Sequence, residues 1–356
     1  MKPYRILIMG ASYGSLLGTK LALAGHSVNL VCLPAEVEAI NRDGARLRMP
    51  IRGREALVEI DSRNAPGRLT AAAPDLVRPI DYDLVVLAMQ EPQYRSSGVR
   101  ELLARVGEAR VPCMSIMNMP PLTYLKRIPG LDAQAYRDAY ADPTVWDGLD
   151  AKLMTLCSPD AQAFRPPDAP VNVLQVRLPT NFKAARFESD EHTAMLHELA
   201  DSVEKIRFDT GSGEPIDLPV KLKVHESVFV PLAKWSMLVA GNYRCITKDG
   251  MRPIKEAVHS DPAAARAVYE WVADVCMTLG ADPGEMVPFE KYAQAAEGLV
   301  TPSSAARALF GGARDIERVD RLVQDIALMQ GKRSPELDEI VTLIDARLVA
   351  NRRAQP

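Results

Sequence analysis

The chain has 356 residues, 47% hydrophobic and 25% charged, with a net charge of -3 from 43 Lys and Arg against 46 Asp and Glu. At roughly 100–200 residues per domain this length points to two domains, and the composition excludes a disordered or collagen-like chain. There is no basic excess to recruit nucleic acid, and no apolar run approaches the ~20 residues that span a bilayer.

The opening residues 1–5, followed by the apolar residues 6–9, are too short for a secretory leader. Five scattered cysteines, Cys32, Cys113, Cys157, Cys245 and Cys276, show no paired spacing. They read as reduced thiols in a cytoplasmic protein, with no metal site expected.

Residues 5–9 form a short apolar run, expected as a strand buried on both faces. The stretch 10–15, Gly-Ala-Ser-Tyr-Gly-Ser, is the turn after it, and residues 16–24 carry apolar side chains at helical spacing up to Gly25. A second strand is expected over 27–32, then a helix over about 35–42. Residues 46–70 read as short antiparallel or irregular strands, 83–89 as another apolar strand, 99–106 as a helix and 112–117 as a strand ending at Asn118. Strands alternating with helices imply a parallel sheet with right-handed crossovers.

Residues 120–170 are rich in Pro, Asp and aromatics, including Tyr136, Tyr140 and Trp146. They suggest an insertion or lid-like excursion, or a surface helix with a solvated acidic face. Strand character resumes over 171–176. From about Leu218 the pattern is helical to the end, with 220–245 long and apolar, a helix starting at Ser260-Asp261-Pro262, and a last helix capped by Ser334 ahead of Pro335. The expected fold class is α/β, an N-terminal parallel sheet followed by an all-α C-terminal domain. The boundary falls between residues 1–218, with the insertion at about 120–170, and residues 219–356.

A strand, a glycine turn and a helix form the context in which a dinucleotide fingerprint has meaning, because the helix N-terminus presents free N–H groups to a pyrophosphate. Counted from Gly10, the second and third glycine positions hold Ser12 and Ser15, and Gly14 and Gly18 look displaced by one residue. The candidate cofactor-binding residues are Gly10, Ala11, Ser12, Tyr13, Gly14 and Ser15. The same residues spell G-x-S-x-G, the elbow of α/β-hydrolases, but an elbow normally follows several strands. A tight turn with no ligand is the plain alternative. The second strand ends at Val31-Cys32-Leu33-Pro34, without the acid that holds NAD ribose or the base that meets an NADP phosphate; Glu36 and Arg42 lie further on.

The order of motifs resembles the ketopantoate reductase (2-dehydropantoate 2-reductase) family. Four stretches carry the resemblance: residues 9–31, residues 82–90, Ser115-Ile116-Met117-Asn118, and the helical part containing Lys234-Trp235, Asp261-Pro262, Ser303-Ser304 and residues 315–320. The resemblance implies a Rossmann-type dinucleotide-binding domain, a helical substrate and dimerisation domain, and a cleft between them. There NADPH (or NADH) reduces a small 2-keto acid, with a homodimer as the expected assembly and no nucleic acid or membrane partner. It assigns Asn118 to the family's asparagine, Ser303 or Ser304 to its serine, Asp315 to its glutamate, and Gln90 to the position of a lysine. The catalytic lysine position is Met237 and its helix-mate asparagine is Gly241.

Methionine cannot donate a proton, so neighbouring groups are the candidates. Lys234 lies one turn before Met237, and Asn242 follows Gly241. Lys234 and Asn242 are eight apart, hence about 80° apart around a straight helix. The catalytic candidates are therefore Lys234 and Asn118, with Asn242, Ser303, Ser304 and Asp315 for substrate and Gln90 and Asn118 also near cofactor. The plain alternatives are a snorkelling Lys234, a helix-packing Asn242, a capping Ser303 or Ser304 and a surface Asp315. A non-redox enzyme, or a binding protein that has lost catalysis on the same fold, remains the alternative function.

Overall fold

The opening strand is apolar at every position after Arg5, as a strand covered on both faces must be. The computed structural model describes residues 2–211 and 213–354. In chain order the first part runs β1 (Arg5–Met9), α1 (Tyr13–Leu23), β2 (Ser27–Val31), α2 (Pro34–Asp43), β3 (Arg46–Met49), β4 (Val58–Asp61), β5 (Arg68–Ala72) and β6 (Leu84–Leu87). It continues with α3 (Val99–Ala109), β7 (Cys113–Ile116), α4 (Leu122–Leu125), β8 (Met154–Pro159), β9 (Gln162–Phe164), β10 (Val173–Leu178) and β11 (Phe182–Ala185). Then come α5 (Asp190–Glu204), β12 (Arg207–Phe208), β13 (Ile216–Asp217) and β14 (Leu222–His225). The remainder is helical: α6 (Lys234–Met237), α7 (Ile254–His259), α8 (Pro262–Thr278), α9 (Phe289–Ala296), α10 (Ser304–Phe310), α11 (Val319–Met329) and α12 (Pro335–Ala354).

The chain forms two compact units. The first holds residues up to Met89, Gln93–Arg127 and Thr144–Val228; the second holds Gln90–Pro92, Ile128–Pro143 and the chain from Phe229. In the first unit an eight-stranded sheet has the order β14-β11-β8-β7-β6-β1-β2-β5. The six strands from β5 to β8 are all parallel and, numbered by appearance in this sheet, run 3-2-1-4-5-6, the doubly wound dinucleotide order. The order reverses between β1 and β6, and ligands of such sheets lie beyond the carboxyl ends of the strands at that point. Ile6 and Ile8 of β1 pack with Leu16 and Leu17 of α1, Leu30 of β2 and Val86 of β6 in one core cluster. A second sheet, β4-β3-β10-β9, and a two-stranded sheet, β12-β13, belong to the same unit.

Two expectations change. The helical reading of 220–245 fails at its start: β14 is a strand, paired in parallel with β11. Its four residues Leu222-Lys223-Val224-His225 alternate apolar and polar, too short a pattern to stand out beside the apolar segment after it, and here the open sheet edge decides. The solvated surface helix expected within 120–170 is absent among the described residues. Tyr136, Tyr140 and Trp146 are buried, Trp146 lies 5.1 Å from Tyr94, and β8 is an inner sheet strand buried at all six positions. No helix among the described residues is long and apolar enough to cross a membrane.

Candidate functional site

The glycine turn sits at the reversal point of the large sheet. Gly10 has φ +108°, and a Cβ there would stand 2.7 Å from Ala88 O and 2.6 Å from Met89 Cγ, so only glycine fits. Gly10 N donates to Val31 O at 2.8 Å and Ala88 N to Met9 O at 2.9 Å, locking the turn against β2 and β6. Ala11 is buried, Ser12 exposed and Tyr13 half-buried. Ser12 stands at the N-cap of α1 but its side chain makes no capping bond, and the first turn holds no acid. Ser15 N donates to Ser12 O at 3.1 Å within the turn, and the dipole of α1 favours an anion at this end.

Ser15 instead donates to Ala11 O at 2.5 Å and braces the turn. A Cβ on Gly14 would lie 2.8 Å from Ile8 Cγ2 and one on Gly18 3.1 Å from Val28 Cγ1, so both glycines serve close packing of helix on strand. The turn thus meets two of the three demands of a pyrophosphate loop, the tight reversal and the close helix–strand approach. The remaining demand, close approach of backbone to the pyrophosphate, falls on the second glycine position, where Ser12 replaces glycine.

At the end of β2, Leu33 is 70% exposed and its N–H donates to Glu36 Oε2 at 2.9 Å. The other Glu36 oxygen is ion-paired with Arg165, which follows β9 in the second sheet. Burial, then the Glu36 charge, pushes the Cys32 thiol beside them up to about 12, so it is no nucleophile at neutral pH. Arg165 escaped the sequence reading because it is more than a hundred residues away from β2. Asn118 is half-buried beyond the carboxyl end of β7.

In the second unit α6 does not continue as an α-helix. Residues 238–242 form a π-helical turn, followed by a 3₁₀ turn at Tyr243–Cys245. Tyr292 explains it. Its hydroxyl donates to Met237 O at 3.1 Å, and it would lie 1.7 Å from any Cβ on Gly241. The wider turn, closing five residues on, removes most of the offset expected between Lys234 and Asn242. Lys234, Met237 and Asn242 are the half-buried positions of this segment, while Trp235, Ser236 and 238–241 are buried. The three therefore share one stripe. π-turns recur at functional sites.

Ser303 is buried at the N-cap of α10, accepting from Ala306 N at 3.1 Å and donating to Asn242 O at 2.7 Å. It fixes the end of the π-turn. Ser304 is exposed in the first turn of α10. Asp315 is held by Arg352 at 2.8 Å. Residues 315–320 bury two carboxylates: Asp320, ion-paired with Arg318 at 2.9 Å, and Glu317, whose Oε1 accepts from Glu91 N at 3.3 Å, while Glu91 Oε2 accepts from Ala141 N at 3.2 Å. Gln90, next to Glu91, is exposed. The sequence singled out neither Glu91 nor Glu317, because their burial depends on segments far apart in the chain.

No protein-family model and no curated protein matches the sequence. Solved structures do match its fold. A Ralstonia solanacearum protein described as a ketopantoate reductase aligns over 98% of this chain and 99% of its own, with a TM-score of 0.66 at 17% identity. D-mandelate dehydrogenase, in a ternary structure with NADH and anilino(oxo)acetate, aligns over 98% and 99% with a TM-score of 0.63 at 14% identity. A dimeric ketopantoate reductase from Staphylococcus aureus aligns over 98% and 99% with a TM-score of 0.59 at 11% identity. The class these define is one of fold: a Rossmann-type sheet followed by helices, the ketopantoate reductase fold, over nearly the whole chain.

Proposed function

We propose that the chain is a nicotinamide-nucleotide-dependent oxidoreductase that reduces the carbonyl of a small 2-keto acid or related compound to the hydroxyl. The observation that carries this reading is the Gly10 turn: a backbone too tight for any other residue, ahead of a helix whose end no side chain caps, at the reversal point of a 3-2-1-4-5-6 sheet. D-mandelate dehydrogenase, similar in fold, was solved with NADH and anilino(oxo)acetate, which carries a carbonyl next to its carboxylate as a 2-keto acid does, and this supports the substrate type. A homodimer is part of the proposal, as for the S. aureus protein.

When bound, the reduced nicotinamide supplies the hydride. The residues of the chain supply the rest. The turn of residues 10–15 seats the diphosphate at the N-terminus of α1, where the helix dipole favours its charge. Asn118, at a strand's carboxyl end, and Gln90 orient cofactor and substrate. Lys234 gives the proton to the carbonyl oxygen, in place of the group that Met237 cannot supply. Asn242, brought onto the Lys234 stripe by the π-turn and fixed there by Ser303, orients the same oxygen. Ser304 and Asp315 remain candidates for the substrate's outer polar groups.

The test is binding of NADH and NADPH followed by cofactor absorbance with a panel of 2-keto acids. Saturable binding and turnover are expected, and Lys234→Ala lowers kcat by about 10²–10⁴-fold with cofactor affinity retained. Binding of neither nucleotide refutes the redox reading; full turnover in the Lys234 variant removes Lys234 as proton donor.

A further inference from the structure

We propose that Arg165 is the residue that reads the 2′-position of the adenosine ribose and gives the chain a preference for NADPH; this rests on the nucleotide-binding reading above. Gly10 N bonds Val31 O, so the Cys32–Leu33 end of β2 lies on the same edge as the glycine turn. In a doubly wound sheet this end meets the adenosine ribose. An acid there accepts from the ribose hydroxyls, and a base there accommodates a 2′-phosphate.

The three residues Cys32-Leu33-Pro34 carry no charge, and the charges present are Glu36 and Arg165. Glu36 is unsuited to hold a ribose. One oxygen is taken by Leu33 N and the other by Arg165, and its side chain is only 12% exposed. The Arg165 side chain is 31% exposed, so of the two charged groups it is the more accessible to a ligand. Its ion pair uses Nη1, and Glu36 is its one ion-pair partner among the described residues. The remaining N–H groups of a planar fork match phosphate oxygens bidentately. Because Glu36 already holds the guanidinium in place, little side-chain freedom is lost when a phosphate arrives. Leu33 beside it offers an apolar surface to the adenine ring.

The base therefore comes from a strand of the second sheet rather than from the β2 loop. Its carboxylate partner lies at the start of α2. Neither a scan of the β2–α2 loop nor the turn motif identifies it.

The experiment is titration of the full chain with NADH and with NADPH, for the wild type, Arg165→Gln and Arg165→Lys. We expect the wild type to bind NADPH about tenfold or more tightly than NADH. Arg165→Gln abolishes that difference by weakening NADPH alone, and Arg165→Lys keeps part of it as a point charge. Unchanged NADH affinity in the variants shows that they are folded. Equal affinity of the wild type for both nucleotides, or equal weakening of both in Arg165→Gln, overturns the role of Arg165 and leaves the oxidoreductase reading standing. Binding of neither nucleotide to the wild type overturns both.

Discussion

Two glycines, one in each unit, do opposite work. At Gly10 the absent side chain lets backbone approach backbone, and the space it frees is closed by Ala88 O and Met89. At Gly241 the absent side chain admits another residue, the Tyr292 hydroxyl, which draws on Met237 O and stabilises a π-turn. The first is a local device: strand, reversal and helix follow one another within a few residues. The second is a tertiary one, and it changes which side chains share a helix face. A glycine inside a helix is therefore not necessarily a weakness, since it can be the site of a shift in register.

The largest effect is expected from closing the second space. Gly241→Ala puts a methyl against the Tyr292 oxygen and destabilises the chain by about 3 kcal/mol in chemical denaturation. Adding Tyr292→Phe restores more than half of that, because the nearest remaining ring atom, Cζ, is then 3.0 Å away. Additive losses in the double variant would refute the register explanation.

Gly10→Ala comes next. It combines a left-handed φ with two contacts below 3 Å and costs about 2 kcal/mol. Loss of nucleotide affinity should accompany it, whereas Gly241→Ala that still folds retains affinity. If the two variants lost affinity equally, the division of labour drawn here would be wrong.

A smaller effect belongs to Lys20 on α1. Its ammonium is fully buried, donating to Leu218 O and Pro219 O, and burial, then Lys221 nearby, pulls it down from 10.5 to about 7. Between those values the unfolded chain binds the extra proton, so stability rises as pH rises from 7 toward 10.5. Denaturation midpoints across this range should show that rise in the wild type and not in Lys20→Met. An identical slope in both would exclude Lys20 as its source.

The parallel sheet was legible because its central strands β1 and β6 are short apolar runs alternating with helices, and the helical unit because its helices have marked starts, as at Asp261-Pro262 and Ser334-Pro335. The edge strand β14 was not: Leu222-Lys223-Val224-His225 alternates as a strand does, but so short a stretch was absorbed into the apolar segment that follows it until pairing with β11 separates the two. Residues 10–15 were legible for the same local reason as the strands. The alignment of Asn242 with Lys234 was hidden, because it needs Tyr292, fifty residues on in the chain. Glu317 stands two places past Asp315, the residue that the resemblance selected, and its burial and the bond from Glu91 N follow from contacts far along the chain. Arg165 was hidden by distance along the chain alone.

The division of the chain has a practical side for anyone cutting it. The helical unit takes in Gln90–Pro92 and Ile128–Pro143 from the middle of the sequence. A fragment ending at Val228 would carry Tyr136 and Tyr140 without the helices that complete their unit, and a fragment starting at Phe229 would lack the backbone that meets Glu317. Neither half corresponds to a clean gene truncation, so loss of solubility in such fragments reflects the threading of the chain and says nothing about catalysis.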